Sequence, residues 1–297
     1  MPPRVRYDRL PTEQRHPASR DLDRLSVTGL LRLMSTEDAR AVRAVAAQHH
    51  RIARAVRLIA STLRRGGRLL FVGAGTSGRL GVLEAAECPP TFSTPASLVQ
   101  ALIAGGRGAV FHSREGAEDR RVEARRAVAA RVKRQDVVVG IAASGVTPFV
   151  DEALRAARRI GARTVLVTAH PRARIRAHVT IPLAVGPEIL TGSTRLKTAT
   201  ATKLVLNMLS TGVMIRNGAV YGNLMVNMQT TNAKLVDRGQ RIISTITGID
   251  QPAAAKVLSE AGTVKTAIVM QKLSLDRAAA EAKLKAAKGK LSVALES

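Results

Sequence analysis

Five acidic side chains lie where they could move protons. Glu84 and Glu87 share one helical stretch, and Glu115, Glu118 and Asp119 gather near the start of another. Two carboxyl groups held in opposite protonation states can take a proton from one atom and give one to another, provided their surroundings separate their pKa values. The structural alternative is that Glu87 merely ends its helix and Glu118 favours a helix N-terminus by charge. Other catalytic apparatus is sparse. His49 and His50 are adjacent, so on a helix they do not share a face, and no set of residues has metal-ligand spacing. Cys88, the single cysteine, has no activating base beside it in sequence and reads as a small buried hydrophobe.

Three polar loops could hold an anion. Gly73-Ala74-Gly75-Thr76-Ser77-Gly78-Arg79 follows a short apolar run and precedes a helix. Glycines let backbone approach a ligand closely, and a helix N-terminus offers free N–H groups to negative charge. The spacing also satisfies the dinucleotide fingerprint. That fingerprint requires an acid at the end of the next strand, and Leu98–Gly105 has none. A tight strand–helix turn without a ligand is the structural alternative. Ala143-Ser144-Gly145-Val146-Thr147-Pro148 repeats the form of the first loop. Gly192-Ser193-Thr194-Arg195-Leu196-Lys197 is the third cluster, where Ser193 or Thr194 could equally be a helix cap.

The elements around these loops alternate. Strands are expected at 68–73, 99–104, 136–142, 163–168 and 179–185, and helices at 26–66, 118–132, 148–160 and 194–216. Ser35, with Asp38 three residues on, is the expected cap of a helix in the first segment. Strands alternating with helices imply an α/β fold: a doubly wound, mainly parallel sheet with flanking helices. Both of the first two loops then lie at carboxyl ends of strands, where such sheets bind ligands. After about Asn223 the strand pattern stops, and 232–245, 250–261 and 275–293 read as helices separated by turns at Gly248 and Ser274. The expected division is an arm and helices over 1–58, the α/β domain over 59–222 and a small C-terminal helical domain over 223–297.

Composition narrows the setting. The 297 residues are 45% hydrophobic, ample for a packed core. One cysteine fits a reducing compartment, and no apolar run is long enough to span a bilayer, so a cytoplasmic protein without membrane contact is expected. The net charge of +25 suggests an anionic partner, but the arginines are scattered and no nucleic-acid motif accompanies them. Specific nucleic-acid binding is therefore not expected.

The loops resemble those of the sugar isomerase (SIS) domain, which binds phosphosugars. The run GAGTSGRLGVLEAAECPPTF (73–92) resembles more closely the signature of the N-acetylmuramic acid 6-phosphate etherases. So do TEQRHPAS (12–19), EGAED (115–119), VVVGIAASG (137–145), VGPEILTGSTRLK (185–197), KLVLNMLST (203–211), YGNLMV (221–226) and KTAIVM (265–270). Three positions depart from that pattern: Val146 stands where arginine is usual, Ala199–Thr202 replaces a Gly-Thr-Ala-Gln run, and Asn227 replaces an aspartate.

The resemblance implies a homodimer that cleaves the D-lactyl ether of a phosphorylated amino sugar without cofactor or metal. Glu87 would be the proton donor and Glu118 its partner. Substrate contacts would come from Gly75, Thr76, Ser77, Arg79, Ser144, Gly145, Thr147, Ser193, Thr194, Arg195 and Lys197. A phosphosugar-sensing regulatory protein without catalysis is the alternative of a different class.

Overall fold

The structure, a computed structural model, describes residues 6–296, so the first five residues of the expected arm lie outside it. Five strands form one parallel sheet: β1 (Leu69–Gly73), β2 (Val99–Ile103), β3 (Val137–Ile141), β4 (Arg163–Thr168) and β5 (Val179–Pro182). Their order is β2-β1-β3-β4-β5, the expected doubly wound arrangement. Leu69 is in register with Val99 on one side and Val137 on the other. Every residue of β1 and β3 is buried, which is why both read as unbroken apolar runs.

Seven helices accompany or follow these strands: α1 (Val27–Ala46), α2 (His49–Arg64), α3 (Gly75–Phe92), α4 (Gly108–Phe111), α5 (Arg121–Arg131), α6 (Pro148–Ile160) and α7 (Lys197–Arg216). Pro148 opens α6, where its missing N–H has no intrahelical acceptor to lose, and Gly161 closes it in the left-handed region at φ 91°. The apolar stripe of α6, with Phe149, Val150 and Leu154, packs with Leu70, Val72, Val138 and Leu166 of the sheet. Leu154 is fully buried there, and truncating it to alanine would cost about 2–5 kcal/mol.

The chain divides into two compact units. One comprises the chain up to Ala86 together with Ser97–Ser210, and holds the whole sheet. The other comprises Glu87–Ala96 and the chain from Thr211 onward. It contains α8 (Ala233–Thr247), α9 (Gln251–Ala261), α10 (Val264–Leu273), α11 (Arg277–Ala286) and α12 (Leu291–Glu296) around a separate core that includes Ile243, Leu258, Ile268 and Leu291. Within it, the Asn227 side-chain amide donates to the Phe92 carbonyl, which ties the short early segment to the late one.

Several elements differ from the sequence expectation. Ser26, not Ser35, caps the first helix by accepting from the Gly29 N–H; Ser35 lies mid-helix, where the backbone amides are already engaged. The 26–66 segment is two helices, broken at Ala47–Gln48. The helix expected from Thr194 begins at Lys197, and 275–293 is two helices, separated at Gly289 in the left-handed region. Helix α10 was not anticipated: its apolar residues show little amphipathic contrast because Val264, Ala267, Ile268 and Val269 are all buried. The turns at Gly248 and Ser274 are present, both in left-handed geometry.

Candidate active site

The strand order places a switch point between β1 and β3, and the loops that follow these strands diverge there. A cavity of about 490 Å³ opens at this point, within the usual range for small-ligand sites. Ala74, Gly75, Thr76 and Ser77 line it from the first loop, and Ala143, Ser144 and Thr147 from the second. The first loop can turn this tightly because strand and helix touch: a Cβ on Gly73 would lie 2.6 Å from the Gly78 amide nitrogen. Gly145 supports the second loop at φ 72°, where a Cβ would lie 2.8 Å from that of Ala173.

Several hydroxyls of these loops are left free for a ligand, while that of Ser144 accepts from the Val146 N–H at 3.4 Å. Thr147 is the N-cap position of α6 but makes no side-chain cap hydrogen bond. The hydroxyls of Thr76, Ser77 and Thr147 have no hydrogen-bond partner among the described residues. Together with unpaired N–H groups in the first turns of α3 and α6, they converge as neutral donors suited to an anion.

Glu118 lines the same cavity. It sits in a single 3-10 turn, Ala117–Asp119, entered through left-handed Gly116 at φ 68°. Ala117 is anchored in the sheet core, which fixes where Glu118 begins. Its side chain keeps contact with solvent through the cavity, yet the surrounding protein still strips hydration from the carboxyl. That burial pushes its pKa up, and the negative charges of Asp119 and Glu115 push it further. A carboxyl raised in this way exchanges protons nearer neutral pH, as a general acid or base requires.

The other expected residues are distributed more widely. Gly192 and Thr194 reach the cavity. Arg79 lines a smaller adjoining one, and its Nε donates to the Val110 carbonyl at 2.8 Å. Ser193 and Gly145 shape their loops without lining the main cavity. Arg195 and Lys197 border a third space with Glu37 and Glu188. The Lys197 ammonium is buried against the Glu37 carboxylate, and the Thr198 N–H in the first turn of α7 is taken by Glu188 at 2.9 Å. The protein's own carboxylates thus occupy the positions where α7 could have met an external anion. Glu87 belongs to the second unit, near the C-terminal end of α3, with its side chain exposed.

Sequence reasoning missed one wall. Tyr7, Leu10, Thr12 and Glu13 of the N-terminal arm line the main cavity. The arm is held by the Gly192 N–H donating to the Thr12 carbonyl at 3.1 Å and the Ser19 hydroxyl donating to the Ile189 carbonyl at 2.7 Å. Buried His16 accepts from the Ala18 N–H on Nδ1, and its Nε2 lies 3.2 Å from Glu37, an electrostatic contact whose angle is poor for a hydrogen bond. An Arg- and Pro-rich stretch carries no periodic pattern from which such docking could be read.

Residues 51–158 match the family described as the glucokinase regulatory protein N-terminal SIS domain. In fold, the chain is similar to a phosphoheptose isomerase from Francisella tularensis, with a TM-score of 0.51 over 64% of this chain and 99% of that one, at 16% identity. In sequence, it is 53% identical over 268 residues to the N-acetylmuramic acid 6-phosphate etherase of Symbiobacterium thermophilum, covering 89% of each chain. It is 50% identical over 290 residues to that of Trichormus variabilis, covering 96% of this chain and 94% of the relative. The enzyme of the same name from Salmonella agona is 50% identical over 97% of this chain and 98% of its own length. Half of all positions agree across nearly the whole of each sequence, both units included, and on that ground the chain belongs to the N-acetylmuramic acid 6-phosphate etherase family.

Proposed function

We propose that the chain cleaves the D-lactyl ether of N-acetylmuramic acid 6-phosphate by elimination and then hydration. The carrying observation is near full-length identity to etherases, joined to a switch-point cavity that combines free hydroxyl donors with a perturbed carboxyl. The phosphate fits the two hydroxyl-rich loops, because converging neutral donors at helix starts favour a dianion.

The chemistry follows from the substrate. Opening of the sugar ring gives an aldehyde, whose carbonyl acidifies the proton on C2. A carboxylate removes that proton, the C3–O bond breaks, and a carboxylic acid protonates the departing lactate oxygen. Water then adds to C3 of the unsaturated aldehyde, leaving N-acetylglucosamine 6-phosphate. We assign the two proton transfers to Glu118 and Glu87, with Glu118 as the base. A single cysteine, with no second one to form an intrachain disulfide, fits a reducing interior, so we assign the reaction to cytoplasmic recycling of cell-wall amino sugars.

We further propose a homodimer with its sites near the subunit interface. A monomeric mass at micromolar concentration with full activity would exclude it. The reaction is tested by incubation with the substrate in deuterated, oxygen-18 water. D-lactate lacking the heavy oxygen, and a product carrying deuterium at C2 and heavy oxygen at C3, are expected. No lactate release, or heavy oxygen at the lactate C2 oxygen that formed the ether, would refute elimination.

A further inference from the structure

A second cavity of about 170 Å³ adjoins the main one, with Ala74, Gly75 and Glu118 common to both. Its cations are Arg79 and Arg114. Arg79 uses its Nε on the Val110 carbonyl, which leaves the outer edge of the guanidinium unbonded. Arg114 has no hydrogen-bond or ion-pair partner for its guanidinium among the described residues, although its backbone carbonyl accepts from the Ala117 N–H. Its side chain rests on glycine backbone: a Cβ added at Gly108 would lie 2.6 Å from Arg114 Nη2, and one at Gly105 would lie 3.0 Å from its Cδ. Gly105 and Gly108 thus leave room for that side chain. Two carboxyl groups line the cavity as well. Glu115 accepts from the Ser113 hydroxyl at 3.4 Å, and Glu118 is the carboxyl whose pKa burial and its acidic neighbours raise.

A guanidinium presents paired donors in a plane that matches a carboxylate. Resting on the etherase reading, we propose that Arg114, with Arg79 beside it, forms the subsite for the carboxylate of the lactyl arm. The space has room for a three-carbon acid. It opens on the side of the main cavity where Glu118 stands, so an arm seated there brings the ether carbon next to the carboxyl that exchanges protons. The phosphate remains in the hydroxyl loops, and each anionic end of the substrate has its own receptor. Arg114 is then a specificity-determining residue that selects an acidic ether over a neutral one.

The test compares kcat/KM for N-acetylmuramic acid 6-phosphate and for its analogue in which the lactyl carboxylate is a primary amide. Wild type, Arg114→Met, Arg114→Lys and Gly108→Ala are measured, each with and without the 6-phosphate. A charge-assisted contact predicts that wild type favours the acid about 10- to 100-fold. Arg114→Met should bring that ratio near one, with turnover of the amide falling far less than that of the acid. Arg114→Lys should keep part of the preference, and Gly108→Ala, which displaces the guanidinium without removing it, should lower it. The advantage conferred by the 6-phosphate should be unchanged in all four proteins. An unaltered acid-to-amide ratio in folded Arg114→Met, or loss of the phosphate advantage instead, overturns the subsite while lactate release by wild type leaves the etherase reading standing. If Arg114→Met does not fold, an unaltered ratio in Gly108→Ala overturns it. Absence of lactate release by wild type refutes the etherase reading and the subsite together.

Discussion

Lys197→Met separates a structural lysine from a substrate-binding one. Lys197 and Glu37 keep 1% and 3% of their surface, and their ion pair fastens α7 to α1. Breaking a buried pair from one side costs about 3–5 kcal/mol, because the remaining charge is left without its counterion. Arg40 Nη1 stays 3.2 Å from Glu37 but is half exposed, so the lower end, about 3 kcal/mol, is expected. At about 2–4 °C per kcal/mol for a unit of this size, the melting temperature should fall by about 6–12 °C.

The pH dependence has a definite sign. In the intact pair, burial pushes the Glu37 carboxyl up, but the hydrogen bond and charge of Lys197, aided by His16 and Arg40, hold it below the usual carboxylate range. Its stabilisation is therefore present above the unfolded pKa and is lost as pH falls through the depressed folded one. With methionine at 197, burial dominates, and the variant is hurt most where Glu37 would be ionised. The gap between wild type and variant should narrow on acidification from pH 7 towards 4. Because His16 ties Glu37 to the arm that walls the cavity, KM should rise in the single variant. In Glu37→Met/Lys197→Met both charges are gone, and stability should return to within about 1–2 kcal/mol of wild type. Scanning calorimetry with a lactate assay decides the matter. A wild-type melting temperature with a raised KM in Lys197→Met would refute the structural assignment and return Lys197 to the substrate.

Three other expectations are independent of this one. Glu118→Gln and Glu87→Gln should each lower kcat about 10²- to 10⁴-fold with an unchanged circular dichroism spectrum, since an amide neither accepts nor delivers the proton; near-normal turnover removes that residue from the mechanism. Ser77→Ala should weaken turnover of the phosphorylated sugar far more than of the unphosphorylated one, and equal effects on both would sink the phosphate-loop assignment. Burial lowers the Lys265 pKa to about 8, while its ammonium donates to the Gly218 and Gly289 carbonyls at 2.8 and 2.6 Å. The folded state sheds that proton before the unfolded chain does, so unfolding free energy should rise with pH from about 8 towards 10.5 relative to Lys265→Met; a parallel pH profile in the two proteins contradicts this.

The parallel sheet was legible because its signals are local. DVVVGIA and RTVLVT are apolar runs that only a strand buried on both faces explains, and each loop with glycine and hydroxyls marks a strand's carboxyl end. Ser77, Ser144 and Thr147 follow from the same signals. Residues whose surroundings are made by distant segments were not legible. Nothing in Gly-Ser-Thr-Arg-Leu-Lys tells that its lysine meets Glu37, 160 positions away, or that Glu188 takes the amide at the start of α7. Thr12 and Glu13 reach the cavity through backbone hydrogen bonds to 189–192, and backbone pairing leaves no trace in side-chain type. The Ser35 cap failed because the helix already begins at Val27, with Ser26 as its cap, which leaves Ser35 in the interior.

The division of the chain also governs its synthesis. The polypeptide passes from the first unit to the second at Ala86, returns at Ser97 and leaves again after Ser210. On the ribosome, every strand of the sheet is made before the second unit's helices are, so the first unit can close once Ser210 has cleared the exit tunnel and before the chain is complete. The ten residues from Glu87 to Ala96 cannot settle at that time, since their unit-mates, Asn227 among them, come later. A nascent or truncated chain ending near Ser210 therefore carries Cys88 and Phe92, both buried in the finished protein, without the later residues of their unit. Such a fragment would hold the loops that line the main cavity together with an apolar segment open to chaperones and proteases.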